Sequence, residues 1–162
     1  MRPESPDPLQ REALAQKLLS TVLDTFAAAE KQPAFQMRSS RLVEPGVWLY
    51  FRCLSSWALA ARYHYVDGPD APMGRAVVLA DISIDESLQR QGLLTRMMRT
   101  LEENVPGLVY IELENVVTEG LLAHLKRMGW RERVPGWQVS DGKVGGCWYR
   151  RVERRPEIRN DK

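Results

Sequence analysis

The sequence predicts a single α/β domain built on one mixed, mostly antiparallel β-sheet that is flanked by helices. The hydrophobic pattern alternates between helix-like and strand-like segments, in the order helix, three strands, helix, strand, helix, two strands. A strand-helix-strand unit inside an otherwise antiparallel set implies a mixed sheet with helices on its faces. The chain has 162 residues, enough for one domain with a sizeable core. We expect that domain over residues 1–155, followed by a flexible tail at 156–162.

The first half of the chain is predicted as one long helix and three strands. Residues 9–31 carry apolar side chains at helical spacing, and the pattern closes at Pro33. Residues 47–55 and 57–66 are rich in aromatic and aliphatic side chains and are interpreted as two antiparallel strands. Residues 75–85 begin with a nearly continuous apolar run, which is typical of a strand buried on both faces.

In the second half of the chain, the apolar residues again alternate between helical spacing and strand-like spacing. It is predicted to form a helix, a strand, a helix and two closing strands at residues 93–104, 108–113, 121–128, 130–134 and 146–152. Gly129 is expected to end the second of these helices as a C-cap. The segments 32–46 and 135–145 are expected as loops, and neither carries a recognisable motif.

Composition narrows the class of protein. The chain is 44% hydrophobic and 27% charged, and its formal net charge of +2 is too small to favour a nucleic-acid or membrane partner. No apolar run approaches the ~20 residues of a membrane helix, and the proline-rich start is not a signal peptide. Cys53 and Cys147 lack metal-site spacing and are expected as buried, reduced thiols. These features favour a cytoplasmic protein without a bound metal.

The strongest indication of chemistry lies between Ala80 and Met98, where a strand ends, a polar turn follows, and a helix begins at Gly92. The first N–H groups of a helix lack intrahelical partners and carry the positive end of its dipole. A glycine lets a ligand approach such groups closely, which suits a pyrophosphate. Arg90 and Arg96 would add positive charge. On glycine spacing alone, a plain loop-to-helix junction is the simpler interpretation.

This stretch resembles motif A of the GNAT (Gcn5-related N-acetyltransferase) superfamily. Ile82 and Ile84 match the alternating strand positions, while Gln89, Gly92 and Leu94 fall on the three positions of the turn, with Leu94 where glycine or alanine is usual. The resemblance extends over roughly residues 40–152. It implies the GNAT fold, acetyl-CoA as co-substrate, and acetyl transfer to a primary amine by direct attack.

The resemblance also implies which residues contact coenzyme A. The turn would hold the pyrophosphate, and the preceding strand would bond the pantetheine arm and polarise the thioester carbonyl through its free backbone groups. Asn115 lies near the position of an asparagine that is frequent in the family. The implied cofactor-binding residues are Ile82, Ser83, Ile84, Gln89, Arg90, Gln91, Gly92, Leu93, Leu94, Thr95 and Asn115.

The catalytic residues depart from the family. A tyrosine usually protonates the leaving thiolate from the end of the next helix, and Leu125 stands at that position. His124 points about 100° away from it around the helix and is either a general acid or a surface or packing histidine. Asp81 either accepts the amine proton or is simply solvated. Glu112 and Glu114 share one face of a strand, as a polar face or as an amine site with Glu114 as a catalytic carboxylate.

Three further residues and one further function stay open. Tyr63 and Tyr65 are expected on one face of the strand 57–66 and His64 on the other, for substrate contact or for packing. A GNAT-fold binding module that acts on a protein or nucleic acid without efficient catalysis is the competing hypothesis, favoured by the missing tyrosine. The acceptor, the length of the acyl chain and a homodimeric assembly are not decided by the sequence.

Overall fold

The computed structural model describes residues 7–32, 36–89, 92–116, 119–139 and 142–153. These residues form four α-helices, eight β-strands and a short 3-10 turn at Glu86–Leu88. In chain order the helices and strands are α1 (Pro8–Glu30), β1 (Met37–Glu44), β2 (Val47–Ser55), α2 (Ser56–Asp67), β3 (Arg75–Ile84), α3 (Leu93–Asn104), β4 (Leu108–Val116), α4 (Glu119–Arg127), β5 (Arg131–Val134), β6 (Trp137–Val139), β7 (Gly142–Val144) and β8 (Gly146–Arg151).

Six of the strands form one sheet in the order β1-β2-β3-β4-β8-β5, and β6 pairs with β7 in a separate hairpin. Within the described sheet, β3 and β4 are parallel and the other neighbours are antiparallel. The chain crosses from β3 to β4 through α3, as a parallel connection requires. The predicted mixed, mostly antiparallel sheet flanked by helices is therefore confirmed.

The larger core lies between one face of the sheet and the helices α1, α3 and α4. The residues Leu18, Val22 and Phe26 of α1 are buried there against Phe51 and Leu79 of the sheet. Each such side chain contributes about 1.5–3 kcal/mol on leaving water. The helix α1 begins at Pro8, and Asp7 caps it by accepting the Leu9 N–H at 3.0 Å.

The opposite face is covered by α2, and here the sequence interpretation was wrong. Residues 57–66, predicted as a strand, form a helix in which Leu59 and Tyr63 are buried while Trp57 and Tyr65 are 74% and 66% exposed. Tyr63 and Tyr65 therefore do not share a face. The run from Ala58 to Arg62 consists of strong helix formers, and this propensity outweighs the aromatic residues that suggested a strand.

Three smaller corrections concern segments predicted as loops or as too short. Within 32–46, residues Met37–Glu44 form the edge strand β1, which pairs only with β2 among the described strands. The segment 135–145 contains the hairpin of β6 and β7. The strand β4 runs to Val116 rather than Leu113. Edge strands are bonded on one side and carry polar side chains, so their hydrophobic alternation is weak.

The C-cap expected at Gly129 is confirmed. Gly129 has a φ of 79° after α4, its N–H donates to Lys126 O, and the Trp130 N–H donates to Leu125 O, as in a Schellman-type cap. Cys53 is buried and Cys147 half-buried, and both are free thiols. Over the described ranges, no helix is long and apolar enough to cross a membrane. In the same part of the chain, no cluster of three or more His, Cys, Asp or Glu is arranged for a metal ion.

Candidate active site

The parallel strands β3 and β4 separate partway along their length. Their pairing ends at Leu79 and Leu113. Beyond this point β3 stays paired with β2 as far as Ile84, whereas β4 stays paired with β8. Ala80 is an extra residue opposite the step from Tyr50 to Phe51, and such a bulge bends and twists its strand. The sheet therefore contains a wedge-shaped opening between the ends of its two central strands.

Backbone groups of β3 face this opening. The Asp85 N–H donates to Gly46 O on the β2 side at 2.8 Å. Because successive residues of a strand direct their N–H and C=O to opposite sides, those of Ile84 and Ile82 project toward the opening. Ser83, which was predicted with them, pairs with Trp48 and directs its backbone toward β2. This edge of β3 thus offers the N–H and C=O of Ile82 and the N–H of Ile84, while the Ile84 C=O accepts a bond from Gln89 Nε2.

The turn between β3 and α3 is shaped by Gly92 and braced by Gln89. Gly92 has φ 73° and ψ 14°, the left-handed region that favours glycine, and its C=O accepts the Arg96 N–H at 2.9 Å. Gln89 Nε2 donates to Ile84 O at 2.7 Å, which ties the turn to the end of β3. Arg90 and Gln91, predicted as cofactor-binding residues, lie outside the described residues.

The first turn of α3 points unsatisfied donors into the groove. No side chain caps this helix within the described part of the chain, so the N–H groups of Leu93, Leu94 and Thr95 lack intrahelical acceptors. They coincide with the positive end of the helix dipole. The Leu93 side chain is buried and holds the turn against the core. The geometry is that of an anion site.

The opening and the turn form one groove of about 820 Å³. It is lined by Asp81, Ile82, Ile84, Leu88, Gln89, Gly92, Leu93, Leu94, Thr95, Met98, Leu113, Glu114, Asn115, Val116, Gly120, Leu121 and His124. With the exceptions of Ser83 and of Arg90 and Gln91, all the residues predicted for catalysis or cofactor binding line it. The middle of the groove is apolar, whereas Asp81, Glu114, Asn115 and His124 make one part polar.

The helix α4 presents His124 and not Leu125 to the groove. Leu125 is completely buried in the core, and His124, half-buried, lines the groove. Adjacent helical residues lie about 100° apart, so only one of the two can face the same cavity. An ionisable side chain is therefore available on this helix, one residue before the position that the family resemblance indicated.

Asn115 stands at an irregular point of β4 beside the groove. It has a φ of 58°, and the register with β8 shifts between Leu113 and Val116. Its Oδ1 accepts the Gly145 N–H at 3.2 Å. A Cβ on Gly145 would lie 2.5 Å from the backbone of Asn115, so only glycine permits this close approach. The bulge re-aims the end of β4 at the mouth of the groove.

Glu112 and Glu114 lie on the same face of β4, as predicted, and both are held by arginines. Glu112 is completely buried and accepts hydrogen bonds from Arg62 and Arg133. Glu114 accepts two 2.8 Å bonds from Arg52 Nη1 and another from Arg62. Burial alone lowers the pKa of Arg62, but the two carboxylates outweigh this and raise it above its usual range. The arginines keep the buried charge of Glu112 and the partly buried charge of Glu114 paired.

Asp81 differs from these two glutamates. Its side chain is exposed at the groove and makes no ion pair with any described residue. It follows the bulge in β3 and lies opposite Tyr50 of β2. A carboxylate in this environment has oxygen atoms available to accept hydrogen bonds.

The arginines of this network were missed by the sequence analysis. Arg52 lies 62 residues before Glu114, and Arg62 lies 50 residues before Glu112. No local spacing links residues so far apart. Because residues 57–66 were predicted as a strand and not as a helix that packs on the sheet, Arg62 was not expected to reach β4. A single sequence holds no signal for such pairs.

Comparison with known proteins yields likeness at the level of structure only. No family model matches the chain, and no curated protein is similar to it in sequence. Its structure is similar to that of Arabidopsis thaliana NAA60 in complex with acetyl-CoA, with a TM-score of 0.47 and 9% identity over 66% of each chain. This chain thus spans just under two thirds of that protein's length.

Two further structures align over more of the chain. An acetyltransferase from Thermus thermophilus matches with a TM-score of 0.41 and 12% identity, over 85% of this chain and 90% of that one. FeeM, an N-acyl amino acid synthase from uncultured soil microbes, matches with a TM-score of 0.39 and 11% identity, over 90% and 86%. These likenesses concern the arrangement of the chain and not its sequence.

Proposed function

We propose that the chain is an N-acyltransferase that moves an acetyl or related acyl group from an acyl-CoA to a primary amine. One observation carries the proposal. The groove joins an anion site at Gly92, the free backbone edge of β3, and a polar region at Asp81 and His124. An acyl-CoA carries a pyrophosphate, an amide-bearing arm and a reacting thioester in that order. These parts require an anion site, backbone hydrogen-bonding groups and polar side chains, and the groove offers the three in the same order.

Coenzyme A binding is assigned mainly to backbone groups. The amides of Gly92, Leu93, Leu94 and Thr95 bind the pyrophosphate, and Arg90 and Gln91, which lie outside the described residues, are assigned to the same group. The backbone groups of Ile82 and the N–H of Ile84 bond the pantetheine arm. Leu94 in place of glycine or alanine is compatible with this role, because only its N–H is needed. Gln89 braces the turn, and Asn115 contacts the arm from β4.

The reaction is direct aminolysis of the thioester. The neutral amine attacks the carbonyl carbon, and a C–N bond forms while the C–S bond breaks. A β3 backbone N–H stabilises the negative charge that develops on the carbonyl oxygen. Asp81, directly or through water, accepts the proton that the nitrogen loses. An ordinary thiol pKa of about 8.5 makes the thiolate a fair leaving group, so one nearby proton donor is enough to assist its departure.

His124 and Glu114 have distinct supporting roles. His124 donates a proton to the departing thiolate, which is the task of the tyrosine that Leu125 replaces. Glu114 is held by Arg52 and Arg62, so we assign it to orienting the ammonium form of the acceptor rather than to removing its proton. Asp81, without such partners among the described residues, is the better base.

The test is binding followed by turnover. Acetyl-CoA at one hundred times its Kd should raise the free energy of unfolding by about 2.7 kcal/mol, because it binds only the folded chain. Release of free thiol should then be measured against a panel of small amines, polyamines and peptides. An unchanged melting temperature at saturating acetyl-CoA would rule out the proposal. Binding without turnover of any amine would instead indicate the CoA-binding module.

A further inference from the structure

The helix α2 covers only part of its face of the sheet. Its buried residues Leu59 and Tyr63 pack on β3, β4, β8 and the end of β2. The rest of β2 and the edge strand β1 carry exposed or half-buried side chains on this face, among them Arg41, Val43 and Tyr50. An open sheet surface therefore extends from β3, which borders the groove, to the edge of the sheet at β1.

One row of side chains crosses this open surface. Arg41 of β1 is paired with Tyr50 of β2, and Tyr50 is paired with Asp81 of β3. Each of the three adjoins in the chain a residue of the larger core on the other face, namely Leu42, Leu49 and Ile82. Because side chains alternate along a strand, Arg41, Tyr50 and Asp81 share the face that carries α2. Two strand spacings, about 10 Å, separate the backbone of Asp81 from that of Arg41.

Arg41 is the arginine of this row that is available to a ligand. It is exposed, and no acidic side chain among the described residues lies within ion-pair distance of it. Arg52, the next arginine on this face, is instead held by Glu114 through two 2.8 Å bonds. Hydrogen bonding with Ser39, and then with Arg52, lowers the pKa of Tyr50 against the effect of burial, and the charges of Arg52 and Arg41 add to this. The surroundings of Tyr50 therefore favour a negative charge.

We propose that Arg41 and Tyr50 bind a carboxylate of the acceptor, and that the acceptor is an amino acid whose amine and carboxylate are several bonds apart. The inference rests on the proposed function, because it takes the reacting amine to lie at Asp81. The carboxylate must then span the width of β2 to reach Arg41. The nitrogen bonds to the acyl carbon, the C–S bond breaks, Asp81 takes the proton, and the product is an N-acyl amino acid.

The chemistry of the row favours a carboxylate over a phosphate. The guanidinium fork of Arg41 matches the two oxygens of a carboxylate, and the Tyr50 hydroxyl is a further donor. A phosphate monoester carries close to two negative charges at neutral pH, whereas the row offers one unpaired positive charge. A single carboxylate is therefore the better match.

The test compares two acceptors that differ only in this charge. The compounds 5-aminopentanoate and 5-aminopentanamide have the same chain length, and their amines titrate almost alike because the differing group lies at the far end. Thiol release by the full chain at saturating acetyl-CoA should give kcat/KM for each. We expect the acid to be used about tenfold more efficiently, through a lower KM, as for charge-assisted hydrogen bonds at a solvated site.

Substitutions at Arg41 should change the ratio of these two kcat/KM values. Arg41→Gln should bring the ratio close to one, and Arg41→Glu should bring it below one, because the charge that meets the carboxylate is then reversed. Arg38→Gln is the matched control. Arg38 is an exposed arginine of the same strand, but it pairs with Cys53, which belongs to the larger core, and so lies on the opposite face. This control should keep the ratio of the unsubstituted chain.

The outcomes separate this inference from the proposed function. If acetyl-CoA does not bind, or if no amine of any kind releases thiol, the proposed function fails and the inference fails with it. If other amines are acetylated but the acid is used no better than the amide, the proposed function stands and the inference is overturned. A ratio that Arg41→Gln leaves unchanged also overturns it, and would indicate that Arg41 only protects an edge strand from pairing with other chains.

Discussion

At the scale of single residues, Gly92 has the most specific requirement. Its φ of 73° is unfavourable for any residue with a Cβ, and the space around that Cβ is open except for Arg11 Nη1 at 4.0 Å. This open space is where the proposed pyrophosphate lies. A methyl group at this position therefore meets the ligand rather than the protein.

We predict that Gly92→Ala weakens acetyl-CoA binding by about tenfold or more while costing only about 1 kcal/mol of stability. Gly107→Ala is the matched control, because Gly107 has a φ of 72° and a Cβ there meets only Arg75 at 3.9 Å. Both variants should lose similar stability in urea unfolding. Equal acetyl-CoA affinity in the two variants would contradict the assignment of the turn.

The two histidines of the chain provide a second contrast at this scale. His124 lines the groove, whereas His64 lies on α2, where its Nε2 is 3.0 Å from Pro69 O. We predict that His124→Gln lowers kcat at least tenfold, because the thiolate loses its proton donor, and leaves the Kd of acetyl-CoA unchanged. His64→Gln should alter neither quantity. A His124→Gln enzyme with full kcat would remove the role assigned to His124.

At the scale of elements, the helix α2 determines which charged groups meet on one face of the sheet. It places Leu59 and Tyr63 on the sheet and brings Arg62 to both glutamates of β4. Tyr63 stacks on Tyr110 with ring centroids 3.9 Å apart. The polar network behind Asp81 and His124 thus depends on a helix, not on the strand that the aromatic residues suggested.

A pair of substitutions distinguishes this helix from a strand. In a strand, residues 57 and 59 would share a face, whereas in α2 Trp57 is exposed and Leu59 buried. We predict that Leu59→Ala lowers the free energy of unfolding by about 2–4 kcal/mol, and that Trp57→Ala changes it by less than about 1 kcal/mol. Chemical denaturation measures both. Comparable losses from the two variants would argue against the helix.

At the scale of the whole molecule, charged and polar groups from distant parts of the chain meet around Asp67. Its carboxylate accepts a 2.8 Å bond from the Tyr149 hydroxyl and a 2.5 Å bond from the Tyr110 hydroxyl, and it pairs with Arg131. These contacts join α2 to β4, β8 and β5. Burial raises the pKa of Tyr149 to about 12, with Asp67 contributing, so the hydroxyl remains a donor at neutral pH.

This cluster makes part of the stability dependent on pH. Burial raises the pKa of Asp67, but the tyrosine bonds and Arg131 outweigh it and leave that pKa below its usual value. A depressed folded-state pKa gives stability that is present above the unfolded value of about 3.9 and is lost as the pH falls through the folded value. We predict that Asp67→Asn destabilises the chain at pH 7 by about 1–3 kcal/mol.

The difference should shrink below about pH 4, because the wild-type carboxyl is then losing its charge while the amide is unaffected. Urea unfolding of both proteins from about pH 2.5 to about pH 7 measures this. A constant difference over that range would show that Asp67 contributes through shape and not through charge.

Local patterns in the sequence determined much of the fold and of the cofactor half of the site. The helical spacing of α1 and α3, the apolar run of β3 and the glycine before α3 each act within a few residues of themselves. Backbone groups near Gly92 are set by that local geometry, so Gly92, Leu93, Leu94 and Thr95 are identifiable from the sequence. The hydrophobic effect and helix-end geometry need no distant partner to leave such a signal.

The tertiary structure alone decided the rest. The helix α2, the pairing of Arg52 and Arg62 with Glu114, and the choice between His124 and Leu125 each depend on contacts between residues far apart in the chain. Side-chain charges act across space, and a single sequence does not record which distant residue will neutralise which. Arg11 shows the same limit, since only the packing of α1 against α3 brings it beside Gly92. The sequence by itself located the turn that we propose for a ligand's phosphates, whereas the polar network beside that turn is a product of the folded chain.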